Sequence, residues 1–215
     1  MKSLSLSRPV ILIMIGTPGS GKSFFARQFA ETFNVPLVSY DSIRSTLFET
    51  PKFNREQESF VNTIAYQQLI ELLKTEKTIL LDGGHNVRAD RHALAKRALR
   101  AGYETLTVWV QTDEPTSMYR ATKRSDKRAG DAYNASITAD QFKSLSRQLT
   151  APSAQEPHIV ISGKHTYATQ AKAVLKKLVA PRQLTAQKPN AYSAHNYDAP
   201  QPPAAPPRKR NVIIN

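Results

Sequence analysis

A glycine-rich loop that follows a short apolar run constrains the fold of this chain more than any other feature. Residues 10–15 are continuously apolar, and residues 16–23 read Gly-Thr-Pro-Gly-Ser-Gly-Lys-Ser. Glycines at these spacings let the backbone turn so that successive N–H groups converge on an anion. A helix that starts at the Lys-Ser end adds its positive dipole. The order of strand, loop and helix is the setting in which this pattern binds phosphate, so we expect a phosphate-binding loop (P-loop) at residues 16–23.

Two side chains of the P-loop have an expected task in binding a nucleoside triphosphate. Lys22 should reach the β- and γ-phosphates of ATP as a point charge, and the Ser23 hydroxyl should ligate Mg²⁺. ATP and Mg²⁺ are therefore the expected cofactors. The nucleotide-binding residues predicted from the loop are Gly16, Thr17, Pro18, Gly19, Ser20, Gly21, Lys22 and Ser23.

Composition limits the class of protein. The net charge of +13 makes a polyanion such as a nucleic acid one candidate partner, although an ordinary basic protein would show the same balance. The absence of cysteine excludes disulfides and thiolate metal sites. No apolar run approaches the roughly 20 residues that cross a bilayer, so we expect a cytoplasmic protein without membrane contact.

Strand-like and helix-like segments alternate along the chain. Strands are expected at 10–15, 35–39, 78–82, 105–111 and 158–162, and helices at 22–33, 43–48, 55–75, 88–101, 113–125, 138–149 and 167–179. This alternation predicts an α/β fold, a three-layer sandwich in which helices cover both faces of a five-stranded parallel sheet. The strand ends at Gly16, Tyr40, Asp82 and Gln111 should then lie along one edge, where ligands of such sheets bind.

Local signals predict how several helices begin and which face they bury. Asp41 with Ser42 is expected to cap the helix at 43–48, and Asn86 the helix at 88–101. Thr138 and Gln141 have the spacing of a capping box. The stripe expected to be buried on the helix at 55–75 comprises Phe60, Ile64, Leu69, Leu72 and Leu73.

Three side chains beyond the P-loop are candidates for phosphoryl transfer chemistry. Asp41, just past the second strand, is placed to accept the proton of an attacking hydroxyl. Arg44 follows on the same helical face and could hold an acceptor phosphate. Asp82 ends the third strand and could hold Mg²⁺ opposite Ser23. Gly83 comes next, so the acidic pair of hydrolytic ATPases is missing, which favours transfer over hydrolysis.

A basic cluster lies where small kinases keep a lid. Arg120 and Arg124 share a helical face and should contact the nucleotide phosphates, although a solvated basic surface would show the same pattern. Arg88 and Arg91 are weaker candidates for contact with an acceptor phosphate. The members of the cluster are Arg120, Lys123, Arg124, Lys127 and Arg128.

These residues together resemble the small P-loop kinases of the polynucleotide 5′-hydroxyl kinase and zeta-toxin-like branch. The likeness covers about residues 10–149 and rests on the P-loop, Asp41 with Arg44, Asp82 followed by Asn86 and Arg91, and residues 120–124. One departure is Asp82-Gly83-Gly84-His85-Asn86, where the family usually has Asp-x-Thr-Asn.

The resemblance implies a sheet order of 2-3-1-4-5 and a role for each matching residue. It makes Asp41 the general base and gives Arg44 and Asp82 the positioning of acceptor and metal. It also implies that Arg124 contacts the transferred phosphate.

We expect two regions and leave three functions open. Residues 1–180 should form the kinase-like domain, with a lid at about 120–150, and residues 181–215 a Pro-rich, basic, disordered tail that could dock a protein partner or a nucleic acid. The first function is transfer of the ATP γ-phosphate to a hydroxyl acceptor such as a nucleic acid 5′ end. The alternatives are a small-metabolite kinase of the same fold and a nucleotide-dependent binding protein or ATPase.

Overall fold

The structure, a computed structural model, describes residues 4, 6–49, 51–124 and 136–180. The predicted tail, together with Lys127 and Arg128 of the basic cluster, lies outside the described residues. The domain boundary at residue 180 therefore stays a prediction.

A parallel sheet of five strands occupies the centre of the described residues. The strands follow the order β2-β3-β1-β4-β5, with β1 in the middle, which confirms the predicted fold class and strand order. Every pairing is parallel. The strands are β1 (Val10–Ile15), β2 (Leu37–Ser39), β3 (Ile79–Asp82), β4 (Glu104–Gln111) and β5 (His158–Ser162).

Helices cover both faces of this sheet. Alternate side chains of β1 explain the arrangement, because Leu12 and Met14 pack with the helices at 22–33 and 167–179, whereas Ile11 and Ile13 pack with those at 55–73 and 88–100. All six residues of β1 are buried, which is why the run is continuously apolar. The helices are α1 (Lys22–Phe33), α2 (Tyr40–Leu47), α3 (Arg55–Leu73), α4 (Arg88–Arg100), α5 (Glu114–Thr122), α6 (Ala139–Arg147) and α7 (Tyr167–Val179).

Two predicted helix caps are wrong and one is confirmed. Helix α2 starts directly at the end of β2, so Ser39 is its N-cap and Asp41 belongs to its first turn. Val87, not Asn86, is the N-cap residue of α4. The capping box of Thr138 and Gln141 is present at the start of α6.

The predicted buried stripe of α3 is only partly correct, because Leu69 is buried but Phe60 is not. Val61, Ala65 and Leu69 face the core, while Phe60 is 56% exposed. The four-residue spacing of the buried set is the i, i+4 row of a helix, and a small alanine in that row gives little apolar signal.

Candidate active site

The P-loop takes a conformation that requires glycine at fixed positions. Gly16, Gly19 and Gly21 have φ values of 147°, 75° and 104°, which side chains of L-residues rarely allow. A Cβ atom on Gly19 would lie 2.1 Å from the carbonyl oxygen of Ser117, and one on Gly16 would lie 2.4 Å from that of Val110. The loop is therefore held tightly against the carboxyl end of β4 and the start of α5.

The helix that follows the P-loop points its amino end into the cavity. Gly21 is its N-cap residue and offers no side chain to cap the first turn, so those N–H groups remain for an anion. The Lys22 ammonium donates to the carbonyl oxygens of Gly16 and Thr17, at 2.9 and 2.8 Å. Burial lowers the pKa of Lys22, and the charges of Asp82 and Asp41 act in the opposite direction. Lys22 thus sits inside the loop that it is predicted to complete.

The Ser23 hydroxyl at the end of the P-loop forms a hydrogen bond with the buried carboxylate of Asp82. Asp82 ends β3 and is only 4% exposed. Burial raises its pKa to about 6 and the charge of Asp41 adds to this, although a hydrogen bond from Ser23 and the charges of Lys22 and Arg27 oppose the shift. A carboxylate whose burial is incompletely compensated, beside a hydroxyl oxygen, fits a hard divalent cation such as Mg²⁺.

The donor set fits magnesium bound largely through its substrate. Among the residues that the structure describes, no group of three or more His, Cys, Asp or Glu side chains could hold a metal. Mg²⁺ in phosphoryl-transfer sites typically uses one or two protein oxygens and takes its other ligands from phosphate and water. Ser23 and Asp82 are such a pair of oxygen donors, and the Mg²⁺ site at these residues stays a prediction.

Asp41 lies at the cavity and belongs to a network of charged side chains. Its carboxylate pairs with Arg44, whose Nε and Nη2 atoms donate to Glu58 at 2.8–3.1 Å. The Arg44 guanidinium also lies 4.9 Å from the centre of the Phe53 ring. Arg44 is 7% exposed and its guanidinium is paired with two carboxylates of this chain, and its predicted contact with an acceptor phosphate stays a prediction.

Asn86 fixes the entrance of the P-loop. Its Oδ1 accepts from the Gly16 N–H at 3.1 Å, and its Nδ2 donates to the Gly16 carbonyl oxygen at 3.3 Å. Because β1 and β3 are neighbours, the loop after β3 comes close to the loop after β1. Sequence analysis assigned Asn86 to helix capping, and only the predicted adjacency of the two strands could have indicated this role.

Arg91 has a structural role, and the expectation that it binds an acceptor phosphate is wrong. Its side chain is 1% exposed and forms an ion pair with Glu156. It also donates to the carbonyl oxygens of His85, Asn86 and Thr150. Arg88 donates to the Ala151 carbonyl oxygen, and neither arginine lines the cavity.

Three members of the basic cluster, all within the described residues, line the same cavity as the P-loop. Arg120, Lys123 and Arg124 all contribute to it. Arg120 donates to the carbonyl oxygen of Gly163 at 3.2 Å, and the charge of Arg124 helps to lower the pKa of Lys22. The charge of Arg124 therefore acts on the P-loop lysine, and its contact with the transferred phosphate stays a prediction.

Gly163, which sequence analysis missed, supports the P-loop from below. A Cβ atom at this position would lie 1.9 Å from the Ser20 carbonyl oxygen and 2.4 Å from Thr112 Oγ1. Thr112 Oγ1 donates to the same Ser20 oxygen at 3.0 Å. The loop after β5 thus packs directly on the P-loop, and the close approach leaves no room for a side chain.

One cavity of about 980 Å³ lies at the carboxyl edge of the sheet. The P-loop forms its floor. Asp41 and Arg44 stand on the side of β2 and β3, and Arg120 and Arg124 on the side of β4 and β5. The volume suits a nucleotide together with a small second substrate.

Comparisons with known proteins agree with this geometry. A sequence model of the AAA domain family matches residues 11–152. The adenylate kinase of Fervidobacterium nodosum is 26% identical over 136 residues, which cover 57% of this chain and 62% of the relative. The chain thus spans less than two thirds of the length of that curated relative.

Solved structures share the fold at low sequence identity. A candidate kinase from Chloroflexus aurantiacus superposes with a TM-score of 0.63 at 13% identity, covering 80% of this chain and all of the other. A sugar kinase from Janibacter sp. HTCC2649 gives 0.58 at 16% identity, with coverage of 80% and 94%. A gluconokinase from Sinorhizobium meliloti 1021 gives 0.53 at 16%, with coverage of 81% and 93%.

The similarities confirm a P-loop kinase-like fold, whereas the polynucleotide kinase and zeta-toxin-like branch stays a prediction.

Among the described residues, none of the helices combines the length and apolar character needed to cross a membrane.

Proposed function

This chain belongs to the AAA domain family, and from that premise and the site geometry we propose that it is an ATP-dependent kinase acting on a hydroxyl group. The observation that carries the proposal is the position of Asp41. Its carboxylate lines the same cavity as the P-loop, close enough to Lys22 and Asp82 to influence the pKa of each. A carboxylate facing the phosphate floor is what a general base for an attacking hydroxyl requires.

In the proposed reaction, the acceptor oxygen attacks the γ-phosphorus of ATP and the bond from that phosphorus to the β–γ bridging oxygen breaks. The acceptor hydroxyl passes its proton to Asp41, and ADP leaves with the bond electrons. Mg²⁺ held by Ser23 and Asp82 would neutralise phosphate charge.

The chain's own groups have the remaining tasks. The first-turn N–H groups of α1 and the Lys22 ammonium bind the phosphates, and Arg124 stabilises the charge that spreads over the transferring group. Arg44 holds Asp41 through its ion pair, and Glu58 holds Arg44. Such catalysis is mainly positioning and electrostatics.

Two classes of acceptor remain candidates. Similarity to an adenylate kinase, a sugar kinase and a gluconokinase supports a small molecule. The net charge of +13 favours a nucleic acid 5′-hydroxyl. Salt separates them, because binding of a nucleic acid should weaken steeply as salt rises and binding of a neutral metabolite should not.

The proposal is tested with Asp41→Asn. We expect this variant to bind ATP as the wild type does and to transfer radiolabelled γ-phosphate to a panel of hydroxyl acceptors about 10²–10⁴-fold more slowly. Glu56→Gln is the matched control, since Glu56 is exposed and does not line the cavity. Equal transfer rates for Asp41→Asn and wild type would remove Asp41 from the mechanism. ATP binding by the wild type without transfer to any acceptor would favour a binding protein or an ATPase.

A further inference from the structure

The cavity is electrically divided, and the division follows the order of the strands. Side chains that follow β4 and β5 form one wall, and side chains that follow β2 and β3 form the other, with the P-loop between them. The net charges of the lining residues on the two walls differ in sign.

The wall beside β4 and β5 is positive. Its charged lining residues within the described ranges are Arg120, Lys123, Arg124 and Lys164. Lys164 pairs with Asp113, and Arg120 donates to the carbonyl oxygen of Gly163, so Lys164 and Arg120 each have a partner within the chain. This wall suits the nucleotide.

The wall beside β2 and β3 is negative. Asp41, Glu58 and Asp90 line it, and Arg44 is the basic residue that accompanies them among the described lining residues. Arg44 is already paired with Asp41 and Glu58, so it compensates for part of their charge and presents none of its own. The net charge of these four groups is −2.

The pKa of Tyr40 responds to two of these carboxylates. Burial raises the pKa of Tyr40 to about 12, and the charges of Asp90 and Glu58 contribute. The Tyr40 ring packs on the loop after β3, where a Cβ atom on Gly84 would lie 2.3 Å from Tyr40 Cζ. The charges of carboxylates on α3 and α4 therefore both act on Tyr40, which lines the same cavity.

We propose that the hydroxyl acceptor of this site is a small molecule that carries a positively charged amino group. The proposal rests on the kinase function above and specifies its second substrate. A phosphate or carboxylate on the acceptor would meet a wall that stays negative after the pairing with Arg44, whereas an ammonium group would be attracted to Asp90 and Glu58. The site here is the cavity beside the P-loop, and the carboxylates determine which acceptor it selects.

The test compares compounds of matched shape and different charge. Glucosamine, glucose and glucuronate form one series, and 2-deoxystreptamine and inositol form another. Binding to the full chain saturated with a non-hydrolysable ATP analogue is measured by saturation-transfer NMR and calorimetry. We expect each amine to bind on the order of tenfold more tightly than its neutral counterpart, because partly exposed charges at a few ångströms are screened but not abolished. The anionic member should bind most weakly.

Transfer of radiolabelled γ-phosphate to the same compounds and to a 5′-hydroxyl oligonucleotide separates this inference from the proposed kinase function. Amine binding without transfer to any compound would support the selection of amines by the negative wall and contradict the kinase function. Efficient transfer to an anionic or neutral compound, or to the oligonucleotide, in preference to the amines would sustain the kinase and overturn the inference. Absence of detectable binding by both amines would also overturn it.

A substitution locates the effect. Asp90→Asn removes one charge from the negative wall beside β2 and β3, and Asp90 has no assigned part in phosphoryl transfer. We expect it to weaken amine binding several-fold while leaving ATP affinity and neutral-sugar binding unchanged. Glu56→Gln makes the same charge change on α3 outside the cavity and should leave amine binding unchanged. An equal loss in both variants would indicate an effect of net charge and contradict the proposed wall.

Discussion

The two hydrogen bonds between Asn86 and Gly16 make the Asn86 side chain a determinant of P-loop geometry. Gly16 has an extreme φ and supplies both the N–H and the carbonyl group that Asn86 binds. We expect Asn86→Ala to raise the Kd for ATP roughly 5–100-fold, the equivalent of about 1–3 kcal/mol for leaving such groups unpaired. Nucleotide titration by calorimetry measures this.

Asn86→Asp is the matched variant for this prediction. A carboxylate can accept from the Gly16 N–H but cannot donate to the Gly16 carbonyl oxygen. We therefore expect Asn86→Asp to lose ATP affinity as well. Unchanged ATP affinity in Asn86→Ala would show that the P-loop keeps its shape without this contact.

Single residues differ in how far their sequence neighbours specify their role. Gly16, Lys22 and Ser23 were predicted as a nucleotide-binding set, because their chemistry depends on backbone geometry encoded within eight consecutive residues. The pairing of Asn86 with Gly16 joins residues 70 positions apart and depends on strand order. The guanidinium of Arg91 was misassigned for the same reason, since its partner Glu156 lies 65 positions away.

At the scale of elements, the loop after β5 supports the P-loop through the contact of Gly163 with Ser20. Gly163→Ala would place a Cβ atom 1.9 Å from the Ser20 carbonyl oxygen, so the P-loop or the β5–α7 loop must shift. We expect ATP affinity to fall at least tenfold, because misplaced N–H groups bind phosphate poorly. A fluorescent nucleotide titration measures this loss.

Gly102→Ala provides the control. Gly102 also has a positive φ, of 80°, but a Cβ atom there would meet nothing within 4 Å. This variant should lose about 1 kcal/mol of stability from backbone strain and keep full ATP affinity. Equal affinity losses in the two variants would show that general destabilisation, not contact with the P-loop, is the cause.

Elements were predictable where local signals and burial agree. Helix α1 and strand β5 have the predicted bounds, because an apolar run or a periodic stripe lies between clear terminators such as Asn34. The start of α2 was misplaced, since β2 runs into the helix without a loop and Ser39 serves both elements. Such a junction carries no break in the sequence pattern.

At the scale of the whole molecule, the ion pair of Arg91 and Glu156 joins the two halves of the sheet. It connects α4 to the segment before β5, and Thr107 of β4 donates to the same carboxylate at 2.8 Å. We expect Arg91→Met to lower the free energy of unfolding by about 3–5 kcal/mol, because Glu156 would remain buried without its partner. Urea denaturation measures this.

The exposed pair of Lys74 and Glu71 is the control for that substitution. Both side chains are 66% exposed, and Glu71→Gln should change stability by less than about 1 kcal/mol. A similarly small effect of Arg91→Met would mean that Glu156 finds compensation elsewhere.

The same pair predicts how stability depends on pH. Burial alone would raise the pKa of Glu156, but hydrogen bonds from Arg91 and Thr107 together with the Arg91 charge outweigh it, so the pKa lies below its ordinary value. The stabilisation is therefore complete above the pKa of the unfolded state and is lost as pH falls through the lower pKa of the folded state. The stability difference between wild type and Glu156→Gln should shrink below about pH 4. A difference that grows on acidification would contradict the sign of this shift.

The charge of the whole chain and the charge of the site point to different partners, and removing the predicted tail separates them. Residues 181–215 hold five Lys or Arg residues and one Asp, so a chain ending at Ala180 falls from a net charge of +13 by four, to +9. The buried apolar residues of the described ranges lie between Val10 and Leu178. We therefore expect the shortened chain to keep its free energy of unfolding, ATP affinity and rate of γ-phosphate transfer to a small acceptor.

The affinity of the shortened chain for a single-stranded oligonucleotide should fall, and the dependence of that affinity on salt should become shallower, because fewer counterions are released. If transfer to an oligonucleotide 5′-hydroxyl instead fell together with its binding, the tail would be delivering a nucleic acid to the cavity. The negative wall would then not decide the acceptor.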